Sequence, residues 1–224
     1  MTENESNQSS DDEDIIIKSQ MERMVNSYDL YMKRITLGRE DALRKMTVNL
    51  AKVKEGDCVL EIGCATGTLS LAAKRQAGPT GRVFGIDIIP GMIEVSQKKA
   101  TKAKLDITFQ LGNIGDIPFP NEHFDVVMCS FMIFHMSEKV RNNGIKEIYR
   151  VLKPKGRLMV LDLALPSRPV SRMIIKLLLG FMIKHDLKEL LPVMESSGFS
   201  QIEISQAKYR ILGLPVLSFA RGIK

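Results

Sequence analysis

The chain has 224 residues, of which 44% are hydrophobic and 26% charged, and its mean hydropathy is −0.03. This composition is typical of a soluble globular protein with one domain, and it excludes wholesale disorder and fibrous folds. The longest nearly apolar run, from Met173 to Ile183, is shorter than the roughly 20 residues that a membrane span needs. The N-terminus has neither a basic nor an apolar signal region, so the sequence predicts a cytoplasmic protein.

The formal net charge of +6 is unevenly distributed. Residues 1–14 carry six acidic residues and no basic residue, and the region 1–19 is predicted to be a disordered acidic tail before a single domain at 20–224. The remaining 32 basic and 20 acidic residues give the rest of the chain a charge of +12. Such a balance fits an anionic ligand, a membrane surface or nucleic acid, and equally a solvated basic face. The three cysteines lack metal-ligand spacing and predict neither a disulfide framework nor a metal site.

Two N-terminal helices are predicted from apolar residues at helical spacing. The first lies between Met21 and Ile35, and the second has Ala42, Met46 and Leu50 on its apolar face. Short apolar blocks follow and alternate with helical patterns, which is typical of a parallel sheet covered by helices on both faces. Five blocks are clear strands: Cys58 to Ile62, Val83 to Ile86, Ile107 to Gln110, Val126 to Ser130 and Leu158 to Leu163.

The last part of the chain carries weaker signals. A helix with Val140 and Ile148 on one face ends at the Pro154 to Gly156 stop signal. One more helix is predicted around Leu190, followed by two weak strands, from Gly198 to Ile204 and from Val216 to Ala220.

A strand, an acidic residue, a small-residue turn and a helix start occur in that order between Val59 and Thr68. Small residues let a ligand approach the backbone, and a helix N-terminus offers free N–H groups. The next strand ends in Asp87, which is placed to accept both hydroxyl groups of a ribose. The pattern therefore predicts a nucleoside cofactor. A dinucleotide site is the first alternative, but the glycines are spaced G-x-x-x-G, and the carboxylate of Glu61 would repel a pyrophosphate and suits an ammonium.

These residues resemble the first two motifs of class I S-adenosylmethionine-dependent methyltransferases. The resemblance continues through Leu111 to Pro120, Phe124 to Phe131 and Arg150 to Leu158, and it covers about Met24 to Leu165. The subgroup that it matches best is the ubiquinone/menaquinone biosynthesis methyltransferases. The resemblance implies a Rossmann-like, doubly wound α/β fold with a seven-stranded sheet that is mostly parallel and has an antiparallel last strand.

The resemblance also implies a role for each matching position. The methionine and sulfonium end of S-adenosylmethionine would lie against Glu61, Gly63, Ala65, Thr66 and Gly67. Asp87 would hold the ribose. Asn113 and Ile114 would border the adenine, with Ile88 and Met92 as apolar walls. Ser130 would contact the cofactor from the end of the fourth strand, and Tyr28 would close over the site. Each residue also has a purely structural interpretation: the glycines as a tight turn, Asp87 as a helix cap and Met92 as core.

The acceptor side departs from the resembled subgroup. Ala65 stands where those enzymes usually have glycine, Met32-Lys33 replaces an Asn-Asp pair, and Phe134-His135 replaces Arg-Asn. His135 follows the fourth strand and is the candidate catalytic residue that takes or orients an acceptor proton, unless it only forms a local hydrogen bond at a helix start.

Three functional hypotheses follow from the sequence. The first is a methyltransferase acting on a small or lipid-like acceptor, of the quinone-precursor type or another. The second is a nucleic-acid methyltransferase, suggested by the basic charge and by four lysines at 98, 99, 102 and 104 that are far in sequence from the expected pocket. The third is a non-catalytic protein that binds S-adenosylmethionine. A cap segment at about 166–184 carries a basic stripe in 172–184 that fits either peripheral membrane contact or packing over the active site.

Overall fold

The structure is a computed structural model of the chain, and it describes residues 18–133, 136–163, 187–210 and 217–224. Three predictions concern residues outside these ranges: most of the acidic tail, the histidine at 135 and the cap segment at 166–184. Residues 18 and 19, within the stretch predicted as tail, are helical. Within the described ranges, no helix is long and apolar enough to cross a membrane.

The N-terminal region consists of three short helical segments. Residues 18–24 are helical, a turn follows at 25–27, and α1 (Tyr28–Ile35) and α2 (Glu40–Leu50) come next. The turn divides the first predicted helix in two. The second helix is confirmed, and its predicted apolar face is confirmed in part. Met46 and Leu50 pack against the core, whereas Ala42 is exposed and Leu43 and Val48 are buried instead. The inward face of α2 also carries polar side chains that form hydrogen bonds. The spacing of apolar residues does not predict such positions.

Strands and helices then alternate as the sequence predicts. The remaining elements are β1 (Cys58–Ile62), α3 (Thr68–Ala77), β2 (Arg82–Asp87), α4 (Pro90–Ala103), β3 (Thr108–Leu111), β4 (Phe124–Ser130), α5 (Glu138–Val151), β5 (Leu152–Leu163), a 3₁₀ turn (Leu187–Leu190), α6 (Leu191–Ser197), β6 (Ser200–Gln206) and β7 (Leu217–Ile223). Strand β5 begins six residues earlier than predicted, because Leu152 already pairs with Phe124 before the register shifts. The shift accommodates Pro154, which has no N–H for a regular ladder.

The seven strands form one sheet in the order β3-β2-β1-β4-β5-β7-β6. Neighbouring strands from β3 to β5 are parallel, and β7 is antiparallel to both of its neighbours. The predicted Rossmann-like sheet with an antiparallel last strand is therefore confirmed. The strand order reverses between β1 and β4, and ligands of such sheets bind in the crevice at the carboxyl ends of the strands that flank this point.

Both faces of the sheet are covered. On one face, Val59 and Met128 pack in a core that also contains Leu43 of α2 and Leu69 of α3. On the other face, Leu60 and Val127 pack in a core with α5 and α6. Strands buried on both faces are continuous apolar runs, and every residue of β1 is buried. The single charged residue of β1, Glu61, is only 2% exposed, so the strand places a carboxyl group inside the protein.

Candidate functional site

The turn between β1 and α3 has an unusual backbone. Gly63, Ala65 and Gly67 all have positive φ angles, of 67°, 44° and 78°. A Cβ atom on Gly67 would lie 2.8 Å from the Cβ of Ser96 and 2.9 Å from the ring of Phe109. Only glycine avoids both the strained conformation and this collision. The turn is therefore held closely against α4 and β3, and the N–H groups of Cys64 and Gly67 donate to the carbonyl oxygens of Ile86 and Cys64.

Asp87, the last residue of β2, is bound to this turn. Its two carboxylate oxygens accept the N–H of Ala65 at 2.8 Å and the N–H of Ile89 at 3.0 Å. Burial raises the pKa of Asp87, and these backbone donors oppose the rise because they favour the charged form. Ile88 follows Asp87 in the chain and Leu111 pairs with Asp87 in the sheet, and their apolar side chains are 42% and 54% exposed. The Asp87 carboxyl group, a hydrogen-bond acceptor, thus lies next to an exposed apolar surface.

Ala65 adopts a conformation that L-residues rarely take, so we expect Ala65→Gly to stabilise the protein. Relief of the left-handed strain, about 1–2 kcal/mol, exceeds the entropic cost of glycine, about 0.5–1 kcal/mol, so a gain of up to about 1 kcal/mol follows. Urea unfolding measures it. Ala72→Gly, within α3, is the matched control and should lose about 1 kcal/mol. An equal loss in both variants would contradict the strain argument.

Glu61 is the second buried carboxyl group of the site. The hydroxyl of Ser70 in α3 donates a hydrogen bond to its Oε2. Burial raises the pKa of Glu61 to about 7, while the Ser70 hydrogen bond and the charge of Arg44 lower it. The carboxyl group is therefore near the middle of its titration at neutral pH, which makes its charge sensitive to the surrounding residues.

The N-terminal helices close against the turn. Asp29 of α1 accepts a hydrogen bond of 2.6 Å from the Thr66 hydroxyl and one of 2.6 Å from the Lys99 ammonium of α4. Glu40 of α2 accepts the Thr68 hydroxyl at 2.9 Å. These carboxylates hold the two threonines that flank Gly67, so α1 and α2 form one wall of the site.

Tyr28, the first residue of α1, is part of this wall and is half-buried. Burial raises its pKa to about 12, and Glu61, Glu40 and Asp87 raise it further while Arg44 lowers it. The phenol is therefore neutral at physiological pH and close to both buried carboxyl groups.

Comparison with known proteins identifies this arrangement. A family model described as a methyltransferase domain matches residues 59–156, which include the turn, Glu61 and Asp87. Residues 59–156 form a methyltransferase domain. The chain is 33% identical over 153 residues to the demethylmenaquinone methyltransferase of Lactobacillus johnsonii and 34% identical over 160 residues to that of Symbiobacterium thermophilum. These alignments cover 67% and 70% of this chain, and 62% of each relative. The chain thus spans less than two thirds of the length of these curated relatives.

Solved structures agree on the fold of the methyltransferase domain. A SAM-dependent methyltransferase from Aquifex aeolicus superimposes with a TM-score of 0.64 at 19% identity, and covers 92% of this chain and 97% of its own. The phosphoethanolamine N-methyltransferase 2 of Haemonchus contortus, solved with S-adenosyl-L-methionine, has a TM-score of 0.62 at 18% identity, and covers 81% of this chain and 52% of its own. The methyltransferase domain is consistent with S-adenosylmethionine, the cofactor that the sequence predicts.

The residues of the methyltransferase domain fit this cofactor. S-adenosylmethionine carries an ammonium group, a ribose with two hydroxyl groups and an apolar adenine face. The site offers the carboxyl group of Glu61, the carboxylate of Asp87, and the exposed apolar surface of Ile88 and Leu111. Charge and polarity therefore match the cofactor at each of its three parts.

Some predicted residues of the methyltransferase domain lie away from this surface. The side chains of Met92 and Ile114 are buried at 1% and 2% exposure, and Ile114 packs against Gly144 of α5. The side-chain oxygen of Asn113 accepts the N–H of Gly115 at 2.9 Å, so it stabilises its own loop. The hydroxyl of Ser130 faces α2 and accepts a hydrogen bond from Arg44. His135 lies outside the described residues.

Five residues that adjoin the site were not assigned roles from the sequence: Asp29, Glu40, Arg44, Ser70 and Lys99. The sequence did contain a signal for Arg44. Helical spacing places it on one face with Glu40, Leu43 and Thr47, and the apolar Leu43 indicates that this face is directed inward. Lys99 is far from the turn in sequence, but Asp29 brings its ammonium group to Thr66. This lysine belongs to the structure of the site and is not part of a separate basic face.

Proposed function

We propose that this protein transfers the methyl group of S-adenosylmethionine to a small-molecule or lipid-like acceptor. The observation that supports this most strongly is the pair of buried carboxyl groups, Glu61 and Asp87, on the two sides of a left-handed turn whose Ala65 N–H binds Asp87. This arrangement provides separate acidic groups for an ammonium and for a ribose, and ionised carboxylates would repel a pyrophosphate.

The protein's own residues act by binding and orientation in this proposal. Glu61 binds the ammonium, Asp87 accepts the two ribose hydroxyls, and Ile88 covers one adenine face. Tyr28 and Asp29 hold α1 against the turn and exclude water. When bound, the cofactor supplies a methyl group on a sulfonium that leaves as a neutral thioether, so orientation and desolvation supply most of the rate. His135 is the proposed proton acceptor when the nucleophile is a hydroxyl.

A quinone precursor is the first acceptor to test, because the curated relatives are named demethylmenaquinone methyltransferases. However, the residues expected on the acceptor side differ from those of the resembled subgroup. Met32, at one of the departures from the resembled subgroup, is buried in the core, and Lys33 is exposed. A different or smaller acceptor is therefore tested in parallel. Peripheral membrane contact through 172–184 belongs to the same proposal and concerns residues outside the described ranges.

Two other functions are tested by the same experiment. A nucleic-acid methyltransferase would use the basic surface of α4, but Lys99 of that helix is paired with Asp29. A non-catalytic protein would bind the cofactor without turnover.

The experiment begins with calorimetric titration of the protein with S-adenosylmethionine, S-adenosylhomocysteine and NAD. We expect micromolar binding of the two sulfur nucleosides and no NAD signal. Transfer of a tritiated methyl group is then measured with short-chain demethylated quinones, other phenols, thiols, anionic lipids, DNA and RNA. Transfer to nucleic acid alone favours the second function, and binding with no transfer to any acceptor favours the third. Absence of sulfur-nucleoside binding by the folded protein refutes all three.

A further inference from the structure

Arg44 is a buried cation on the inner face of α2. It is 5% exposed, although arginine is among the residues least often found inside proteins. Its Nε and Nη2 donate to Glu40 Oε1 at 3.2 and 3.1 Å, and its Nη1 donates to Ser130 Oγ at 3.3 Å. The guanidinium group is therefore held in one orientation by a carboxylate of its own helix and a hydroxyl of β4.

This orientation places the charge over the end of β1. Glu61 of β1 is the register partner of Met128 in β4, and alternate residues of a strand face the same side. Ser130 therefore faces the same side of the sheet as Glu61, which is the side that α2 covers. The guanidinium group of Arg44, which binds Ser130, and the carboxyl group of Glu61 therefore lie on the same side of the sheet.

The groups around Glu61 make Arg44 its main favourable charge. Ser70 contributes a neutral hydroxyl from α3, and Asp87 of β2 raises the pKa of Glu61 through its negative charge. The phenol of Tyr28 on α1 is neutral, because its pKa is about 12. The thiols of Cys64 and Cys129 are neutral as well, because burial raises the pKa of each.

We infer that Arg44 is a positioning residue that favours the ionised form of Glu61, which is the form that binds the ammonium of the cofactor. The inference rests on the proposed function, in which Glu61 is the ammonium site. Arg44 touches neither the cofactor nor the acceptor in this role. It acts through the charge of Glu61, and its hydrogen bonds to Glu40 and Ser130 fix the distance over which it acts.

The test is the pH dependence of cofactor affinity in Arg44→Met. Without the guanidinium charge, Glu61 requires a higher pH to ionise. We therefore expect the ratio of variant to wild-type Kd for S-adenosylmethionine to increase as the pH falls and to level off below the wild-type pKa of Glu61. A rise of one unit in this pKa corresponds to a ratio of about 8 at pH 6.5, which falls toward 1 near pH 9. Use of the ratio removes the titration of the ligand itself, and S-adenosylhomocysteine is measured in the same series.

Lys45→Met is the matched control, because it removes a cation from the exposed side of the same helix. Its Kd ratio should stay near 1 at every pH. Arg44→Lys, which retains the charge, should restore most of the wild-type pH profile. If Arg44→Met fails to fold, Arg44→Gln provides the same neutral comparison.

The outcomes separate this inference from the proposed function. A Kd ratio for Arg44→Met that is the same at every pH overturns the inference, because loss of packing alone does not change with the ionisation of Glu61. The proposed ammonium site itself is tested by Glu61→Gln. If Glu61→Gln binds S-adenosylmethionine as tightly as the wild type at pH 8.5, the proposed site fails regardless of the result for Arg44.

Discussion

Replacement of Asp87 by asparagine is expected to weaken S-adenosylmethionine binding by at least about 100-fold. Two ribose hydroxyls donate to one carboxylate in the proposed site, and a hydrogen bond to a charged group contributes about 1.5–3 kcal/mol. The asparagine side chain has one acceptor oxygen, while the N–H groups of Ala65 and Ile89 already require acceptors at this position. Calorimetry of the purified variant measures the effect.

The control must separate ribose binding from support of the turn, since Asp87 does both. Asp106→Asn makes the same chemical change at an exposed position before β3 and should leave Kd unchanged. A cofactor analogue without the ribose 2′-hydroxyl should bind more weakly to the wild type and show little further loss with Asp87→Asn. An affinity for the variant within threefold of the wild type would contradict the assignment of Asp87 to the ribose.

Glu61→Gln is expected to change stability and binding in opposite directions. The pKa of Glu61 rises from its ordinary value of 4.5 to about 7 in the folded protein. Between these values the folded state holds a proton that the unfolded state has lost, so stability decreases as the pH rises through this window. Each pKa unit corresponds to 1.36 kcal/mol, so the decrease reaches about 3 kcal/mol above pH 7.

The glutamine is neutral and retains an oxygen that can accept the Ser70 hydroxyl. At pH 8 the free energy of unfolding of Glu61→Gln should therefore exceed that of the wild type by up to about 3 kcal/mol, and the two should be similar at pH 4.5. Binding of S-adenosylmethionine should decrease by about 10- to 100-fold, because a charge-assisted contact is lost. Urea unfolding at both pH values and calorimetry at pH 8 measure the two effects.

Glu94→Gln, at an exposed position on α4, is the matched control and should change neither quantity. A destabilised Glu61→Gln at pH 8 would show that the carboxylate has favourable partners in the folded protein beyond Ser70 and Arg44. Stabilisation with unchanged affinity would mean that the buried carboxyl group has no part in cofactor binding.

Most of the fold was predictable because its signals are local. The five clear strands are apolar blocks that end at turn residues, and strands that are covered on both faces of a sheet consist mostly of apolar residues whatever their neighbours are. The seven-stranded sheet and its antiparallel last strand came from the resemblance, and the structure confirmed them and added the strand order. The buried face of α2 was predicted only in part, because Arg44 and Thr47 are polar residues that point inward. Hydrogen bonds to Ser130 and to the Leu43 carbonyl compensate for their burial.

The central part of the site was also local in sequence. Glu61, the turn from Gly63 to Gly67, and Asp87 lie within 27 consecutive positions, so their order and spacing alone predict two carboxyl groups beside a turn and a helix start. The strained φ of Ala65 and its bond to Asp87 agree with that pattern. The predictions for Met92 and Ile114 were less informative, because an apolar residue in such a segment has the same pattern whether it lines a ligand or fills the core.

The sequence by itself determined the sheet, the turn and the two carboxyl groups, because these depend on residue type and short spacing. Only the tertiary structure decided which side chains surround them. Asp29 meets Thr66 across 37 positions, Lys99 meets Asp29 across 70, and Arg44 meets Ser130 across 86. Such contacts depend on how α1 and α2 pack on the sheet, and the hydrogen-bonding capacity of a single residue does not specify its partner. Arg44, one of the groups that lower the pKa of Glu61, is therefore a cation that no local pattern connects to it.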